Sequence, residues 1–429
     1  MHDDVTQRRS VAEHAAAVAE AVEPALAAAR ERASARVDVA TLLTQVGAGA
    51  GLSPRVLARD AVAAVALPGF DNSQMDGYAV RSADLAGASV GDPVVLPVVA
   101  PVPAGTQPPP LKAGTAAPVM TGAPVPAGAD AVVRIEDADP PRFPDPATSA
   151  QVRFAAPVAT GAFVRAAGSD VAAGDVLVPA GTPLGAPQLG ALVAAGVTTV
   201  EVAAPPHVLL VSTGSELAPA GAALGPAQVH DANGAALTAA LGQAGARVTI
   251  RVAPDHPDVL LRVLADAPGD VGLVVTTGGV SAGAYEVVRQ TLTDAWFGHV
   301  AVQPGGPQGL GTVAVGGGRQ VPLVAFPGNP VSAYVSFELF LRPLLAAATG
   351  ASPAHRATGR APLAEPLDSP PALHQVRRGT LDADGRVRLT GGPGSHLLTH
   401  LAAATVLVHV PPGVAHLDAG DPVDYQELR

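Results

Sequence analysis

The chain contains no cysteine. Disulfides, thiolate metal sites, iron–sulfur clusters and cysteine nucleophiles are excluded, so any metal must be held by oxygen or imidazole ligands. Lysine is almost as scarce: Lys112 is the only one, and the formal net charge is −11. Such a surface does not wrap a nucleic acid, and an anionic ligand has to be held locally, by backbone N–H groups and single arginines. The amino terminus lacks the basic start and apolar core of a signal peptide, and no apolar run reads as long enough to span a membrane. A cytoplasmic protein without a membrane partner is expected.

Glycine (47) and proline (43) are abundant, yet 48% of residues are hydrophobic and lie in strand-like runs, which argues for many turns and against disorder. At 429 residues the chain exceeds one ordinary core, and a length of about 150 residues per domain predicts roughly three or four. Residues 11–36 read as an Ala-rich helix with Pro24 as a break, and 37–46 and 53–66 carry apolar residues at helical spacing. After Leu67-Pro68-Gly69-Phe70 come short strand-like runs at 93–99, 131–135 and 150–154, which predict a small β-rich domain. Residues 170–202 read as the returning half of the first region. From Pro206, strands and helices alternate, predicting a three-layer α/β domain with a mostly parallel sheet and a long helix over 331–348. After Gly350 the texture is β again, with a hairpin around Asp384-Gly385.

Two turns organise the chemistry of the α/β stretch. Thr276-Thr277-Gly278-Gly279-Val280-Ser281 follows the buried run 271–275, and Phe326-Pro327-Gly328-Asn329-Pro330-Val331-Ser332 follows 321–325. In the second, Asn329 reads as an N-cap and Pro330 as the first helical residue. Free N–H groups around Val331 and Ser332 would then point out of the strand ends as an anion site. The plainer reading is that each Gly-rich turn only lets a strand fold tightly into a helix. Glu216 after Ser212-Thr213-Gly214, Asp231 before a helix and Glu286 after the Ser281 turn leave the same edge of a parallel sheet. Converging there, they would hold Mg²⁺ beside phosphate oxygens. Equally, Asp231 reads as a helix cap, Glu216 as a first-turn residue and Glu286 as a solvated side chain. His230 and His396 beside these motifs read as structural. The polar run from Pro68 to Val80 is only partly explained by Asx turns at Asp71 and Asn72.

Five motifs then fall in one order: Pro68 to Val80; Met120-Thr121-Gly122-Ala123-Pro124-Val125-Pro126 with Gly128-Ala129-Asp130; Ser212-Thr213-Gly214 with Glu216; Gly278-Gly279-Val280-Ser281; and Pro327-Gly328-Asn329-Pro330-Val331-Ser332. Together they resemble the MoeA and gephyrin E-domain family of molybdopterin molybdenumtransferases, from about residue 11 to the end. The resemblance implies a multidomain α/β plus β fold. Its parts are an elongated helical domain in two segments (11–70 and 168–203), an inserted β-rich domain (71–167), a three-layer α/β molybdopterin-binding-like domain (204–350) and a C-terminal β-barrel-like domain (351–429). It also implies a homodimer in which the α/β domain of one subunit faces the inserted domain of the other. The implied reaction is insertion of molybdate into adenylylated molybdopterin with release of AMP, aided by a divalent cation such as Mg²⁺, with recipient molybdoenzymes downstream.

Carried over motif by motif, the family's catalytic positions fall on Glu216, Asp231, Glu286, Asp71, Thr121 and Asp170, the first three also being the implied metal ligands. The substrate-binding positions fall on Gly278, Gly279, Ser281, Pro304, Gly305, Asn329, Ser332, Arg378 and Ser395. The chain departs from the family where a Lys-Pro-Gly-Lys-Pro segment reads Gln303-Pro304-Gly305-Gly306-Pro307, where Glu286 replaces Asp, where Ala284 replaces an acid and where Ser215 replaces an Asp. Two missing cations remove charge-assisted hydrogen bonds of about 1.5–3 kcal/mol each. Arg289 or Arg378 is expected to compensate with a bidentate fork. A molybdopterin carrier with weakened insertion activity and a gephyrin-like scaffold are the alternatives.

Overall fold

The computed structural model describes residues 8–31, 35–45, 55–103, 105–143, 150–281, 283, 286–351, 353 and 355–428. Ala284 and the expected helical residues 32–34, 46 and 53–54 lie outside these.

The first helix, α1 (Val11–Glu31), opens with a capping box: the Ser10 N–H donates to Glu13 Oε2 at 2.7 Å and the Glu13 N–H donates to Ser10 Oγ at 3.1 Å. Pro24 lies inside the helix without ending it. The buried stripe His14, Val18, Val22, Leu26 and Ala29 has helical spacing, and its three large aliphatics join the core of the α/β sheet with Val208, Leu210 and Phe340.

Residues 55–66 are extended, which corrects the helical expectation. Strand Ala61–Val62 pairs with Val176–Val178, and Leu57 bridges Val202. Their backbone groups bond across the chain, Leu57 N–H to the Thr182 carbonyl at 3.0 Å and Ala63 N–H to the Asp175 carbonyl at 2.9 Å. Pairing with a distant segment overrides the local apolar period. Strand Ala35–Asp38 pairs with Thr199–Val202 in the same way. The inserted segment holds two three-stranded sheets around Tyr78 and Phe154, with Gly77–Val80 central in one of them.

In the α/β domain, β1 (His207–Thr213), α2 (Ala232–Gln243), β2 (Arg247–Ala253), α3 (Pro257–Ala265) and β3 (Leu273–Thr277) are followed by β4 (Trp296–His299), β5 (Pro307–Val315) and β6 (Arg319–Phe326). The spatial order is β2-β1-β3-β6-β5-β4, with the first four parallel, β5 antiparallel to β6 and β4 antiparallel to β5. Every residue of β1 and β3 is buried, as strands covered on both faces require. α4 (Pro330–Ser336), a π-helical stretch Phe337–Leu341 and α5 (Arg342–Thr349) run on as one helix. Its 20 residues, with a mean hydropathy of 1.3, have the length and composition of a membrane span, contrary to the expectation from sequence, but 72% of that window is buried inside the fold. It is a core helix.

The C-terminal domain comprises β7 (Thr358–Pro362), β8 (His374–Leu381), β9 (Val387–Leu389), β10 (Val406–Val410) and β11 (Pro422–Glu427), in the order β8-β10-β11-β7 with β9 against β8. A bridge between Leu363 and Val387 links β7's end to β9 and closes the ring around Leu363, Val406, Val408 and Val410. The two-residue strand Val302–Gln303 of the α/β domain adds to β8 in parallel. A second tie is Glu338, in the π-helical stretch, whose fully buried carboxylate takes Arg356 Nη2 at 2.9 Å, Arg356 Nε at 3.2 Å and Gln426 Nε2 at 3.2 Å, with Arg342 Nε at 3.8 Å.

His14 is fully buried, and neither ring nitrogen finds a partner among the described residues. Burial, helped by Arg9, pushes its pKa from 6.5 down to about 4. A histidine whose folded pKa lies below the unfolded value takes up its proton preferentially on unfolding. Stability is therefore full above about pH 6.5 and falls as the pH drops towards 4, by up to about 3 kcal/mol from this residue. Urea denaturation at pH 7 and pH 4.5 should show the fall, and His14→Met should shrink it; an identical pH dependence in the variant would refute the assignment.

Candidate functional site

The three central parallel strands end level. Ser212 stands opposite Thr277, and Thr277 opposite Phe326, so the turns after β1, β3 and β6 share one edge. They are joined there by Thr213 Oγ1 donating to the Thr277 carbonyl at 3.1 Å, Gly278 N–H to the Phe326 carbonyl at 3.1 Å and Asn233 Nδ2 to the Gly328 carbonyl at 2.6 Å. Glycine is required at 278, where φ is +87° and a Cβ would sit 2.8 Å from the Thr213 carbonyl oxygen; at Gly328 a Cβ would lie 3.3 Å from the Gly278 Cα. Gly278→Ala should cost at least about 2 kcal/mol in chemical denaturation, since strain and collision add. A loss below about 0.5 kcal/mol would mean that the turn simply relaxes.

The three carboxylates leave this edge in different states. Asp231 is buried and caps α2, its Oδ1 accepting the Gly234 N–H at 2.8 Å. Half-buried Glu286 turns back to accept the Ser281 N–H at 3.0 Å, occupying a donor of the β3 turn. Glu216 is exposed, and both its carboxylate oxygens lie 2.6 Å from where a Cβ on Gly214 would be. Among the described residues no three His, Asp or Glu side chains form a group able to hold a metal. The expected triad is thus not gathered on one point, because the helix cap holds Asp231. Mg²⁺ commonly takes one or two carboxylates and completes its shell with phosphate oxygens and water. Glu216 and Glu286 are the two carboxylates of the three whose side chains are not taken up by a helix cap.

A second part of the site lies where the α/β and C-terminal domains meet. The Val331 N–H, expected to be free, donates to the Ser395 carbonyl at 3.0 Å, so the C-terminal domain caps α4. Asn329 flanks that helix without a side-chain cap bond, and Ser332 is buried within it. Pro304 and Gly305 are buried against the same helix: a Cβ on Gly305 would come within 3.2 Å of Ser336 Oγ and 3.5 Å of the Ser332 carbonyl oxygen. Gln308 Nε2 donates to the Gly305 carbonyl and to Ser336 Oγ, each at 2.7 Å, while Gln303 Oε1 accepts from Gln375 Nε2 at 2.7 Å. The residues in place of the family's lysines are therefore neutral, and Gln303 is already engaged.

The cation at this junction is Arg378, which is fully buried. Its Nη2 donates to the Gly392 and Gly394 carbonyls, the second at 3.3 Å, and Arg377 Nη2 holds the Gly391 carbonyl at 2.9 Å. Arg378 Nε and Nη1 are buried with no partner among the described residues. Burial, and then Arg377, lower its pKa from the ordinary arginine value. A buried guanidinium with unmatched donors is costly until an oxyanion supplies the acceptors.

In the inserted domain, exposed Asp71 accepts the Ala167 N–H at 2.8 Å and lines a cavity of about 620 Å³ with Phe70, Gly105 and Pro124. Thr121 donates through its N–H and hydroxyl to Asp76 Oδ1 at 2.7 and 2.8 Å, and these bonds hold the Asp76 carboxyl below its usual range. Asp170 is exposed, its N–H bonded to the Leu67 carbonyl at 2.9 Å. No hydrogen bond or ion pair among the described residues joins Asp71, Thr121 or Asp170 to the strand edge. Sequence reasoning passed over Asn233, Gln308 and Gln375, whose amides hold the turns. Polar residues inside otherwise apolar elements are the signal that marks them.

Comparison with known proteins fixes the family. The sequence profile of the MoeA N-terminal region (domain I and II) matches residues 9–196, that of a probable molybdopterin binding domain matches 209–347, and that of the MoeA C-terminal region (domain IV) matches 360–428. The chain belongs to the MoeA family. Among MoeA-family relatives, molybdopterin molybdenumtransferase 2 of Mycobacterium tuberculosis is 41% identical over 385 residues, 87% of this chain and 92% of the relative. Molybdopterin molybdenumtransferase 1 of the same organism is 37% identical, over 83% of this chain and 88% of its own length. The crystal structure of the molybdopterin biosynthesis MoeA protein from Pyrococcus horikosii superposes with a TM-score of 0.71 at 29% identity, covering 95% of this chain and 99% of that one. In MoeA terms, the strand edge lies in the molybdopterin binding domain and Arg378 in domain IV.

Proposed function

We propose that this protein completes molybdenum cofactor by inserting molybdate into adenylylated molybdopterin, releasing AMP. The observation that carries the proposal is Arg378, buried with two nitrogens, Nε and Nη1, unmatched among the described residues, beside the Ser395 loop that caps α4. The anionic metal oxide fits those donors through a bidentate fork. The phosphate and nucleotide lie along the Gly278, Gly279 and Ser281 turn, where glycine lets a ligand approach the backbone closely. Glu216 and Glu286 face the phosphoanhydride. Mg²⁺ held by these two carboxylates and the phosphates would supply charge neutralisation. Pro304 and Gly305, packed on α4, set the floor between the oxyanion and the phosphate.

Asp71, Thr121 and Asp170 act from the partner subunit of a homodimer. The exposed Met120 and Phe163 on the inserted segment, with Phe70 at its entry, give that contact its apolar surface. Four domains, with bounds at 11–70 and 168–203, 71–167, 204–350 and 351–429, a cytoplasmic location and recipient molybdoenzymes belong to this reading. One observation favours a carrier instead: the loop that holds lysines in the family is neutral here, with Gln303 bonded to Gln375.

Single-turnover release of AMP from adenylylated molybdopterin, with molybdate and Mg²⁺ present, separates the two. Conversion that falls at least about 100-fold in Glu216→Gln supports insertion. Tight binding without conversion, restored by Gly306→Lys, supports the carrier; a Cβ at 306 meets nothing nearer than 3.4 Å, so the backbone there accepts a side chain.

A further inference from the structure

At the opposite end of the sheet lies a cavity that none of this chemistry uses. It has a volume of about 320 Å³ and is walled by α1's last turn, the residues entering and leaving the N-terminal strands, and the starts and ends of α/β elements. β1 and β2 begin beside it, at His207 and Arg247, and the seven residues of β1 separate it from the catalytic edge by roughly 20 Å at about 3.3 Å per residue.

Three arginines from three separate segments line it: Arg30 on α1, Arg55 and Arg247. Arg30 pairs with Glu23, and Arg247 pairs with Asp270, both at exposed positions. Arg55 has no carboxylate partner among the described residues, and its buried Nε has no hydrogen-bond partner. The C-terminal ends of α2 and α5 approach the same space, where arginines can serve simply to cap carbonyls. Here the Ala244 carbonyl is taken by Thr349 Oγ1 at 2.7 Å, and no hydrogen bond joins Arg55 to either helix end among the described residues. Apart from Thr349 the rest of the described lining is small and apolar, including Val56, Ala204 and Ala348, with no aromatic face on which a base would stack.

We propose that this cavity is a second anion site, separate from the catalytic one, that takes a single phosphate group, free or as a small ester. Half-buried Arg55, with its Nε shut away from solvent, is the anchor, and Arg30 and Arg247 close over the phosphate from the rim. Guanidinium forks meeting one tetrahedral oxyanion from three sides give the geometry that arginine, rather than lysine, provides. Because Arg55 belongs to the N-terminal strands and Arg247 to the α/β sheet, the bound phosphate holds these two parts of the subunit at one angle.

The test is calorimetric titration of the full chain with inorganic phosphate, and competition by glycerol 3-phosphate and by acetate. The catalytic oxyanion site is silenced by Arg378→Met. Phosphate should still bind to that variant at one site per subunit, and adding Arg55→Gln should weaken binding at least tenfold. Arg30→Gln, at an exposed position that does not endanger folding, should weaken it several-fold. Tighter competition by glycerol 3-phosphate assigns an ester and equal competition a free phosphate. Loss of all phosphate binding in Arg378→Met, unchanged binding in both Arg55→Gln and Arg30→Gln, or acetate competing as well as phosphate would each overturn the proposal.

Discussion

Arg378→Met removes molybdate binding while leaving the melting temperature unchanged or raised. The two effects separate because of how the guanidinium is buried. Its Nε and Nη1 are shut away from water without acceptors among the described residues, and a buried charge lacking its full complement of bonds adds little stability or subtracts some. Methionine fills similar space without the desolvated charge. Binding, by contrast, loses the fork: two charge-assisted hydrogen bonds at about 1.5–3 kcal/mol each amount to roughly two to four orders of magnitude in affinity. Arg378→Lys keeps the charge but not the paired geometry and should fall between. Equilibrium binding of molybdate, with melting curves on the same samples, decides the matter. If the methionine variant binds molybdate like the parent, Arg378 is a clamp for the Gly392 and Gly394 carbonyls and nothing more.

Glu338→Ala should be the most destabilising single change in the α/β domain, at about 3–5 kcal/mol. The glutamate side chain is fully buried in the π-helical stretch, and the Arg342 and Arg356 side chains beside it are 7% and 11% exposed. Removing the carboxylate takes the counter-charge from the Arg342 and Arg356 guanidiniums in a dry setting, although Arg342 Nη2 keeps the Pro353 carbonyl, and frees Gln426 Nε2 from its acceptor. Since Arg356 sits in the segment leading to the C-terminal domain and Gln426 on its last strand, the loss also loosens that domain against the core helix. Guanidinium denaturation of Glu338→Ala, Arg356→Ala and the double variant tests this through the coupling energy. Single losses under about 1 kcal/mol, or additive ones, would show that the network is ornamental.

What could be read from the sequence follows from where each strand finds its partners. β1, β3 and the second half of β6 are buried on both faces and appear as aliphatic-rich runs, so the α/β sheet and its exit turns were legible. β5 was not, because Gly309 and Gly311 interrupt it; a Cβ at those positions would come within 2.5 Å of Phe297 and 2.7 Å of Ala295. Residues 55–66 misled because their apolar spacing is helical while their partners lie over a hundred residues away, at 171–183 and 195–203. At the site, the glycines and carboxylates announced themselves locally. The capping of Val331 by Ser395 did not, since it joins two domains, whereas the helix-cap reading of Asp231, open beside the metal reading in the sequence, is the one its bond to the Gly234 N–H bears out.

The strand Val302–Gln303, although part of the α/β domain, completes an edge of the C-terminal sheet along His374 and Gln375. Cutting the chain near Gly350 would therefore not yield two sound halves. The released C-terminal piece would carry a bare row of backbone donors and acceptors on β8, open to pairing with another copy of itself. Such a fragment is expected to self-associate, and a short peptide spelling residues 300–307 should block that association by taking the vacant place.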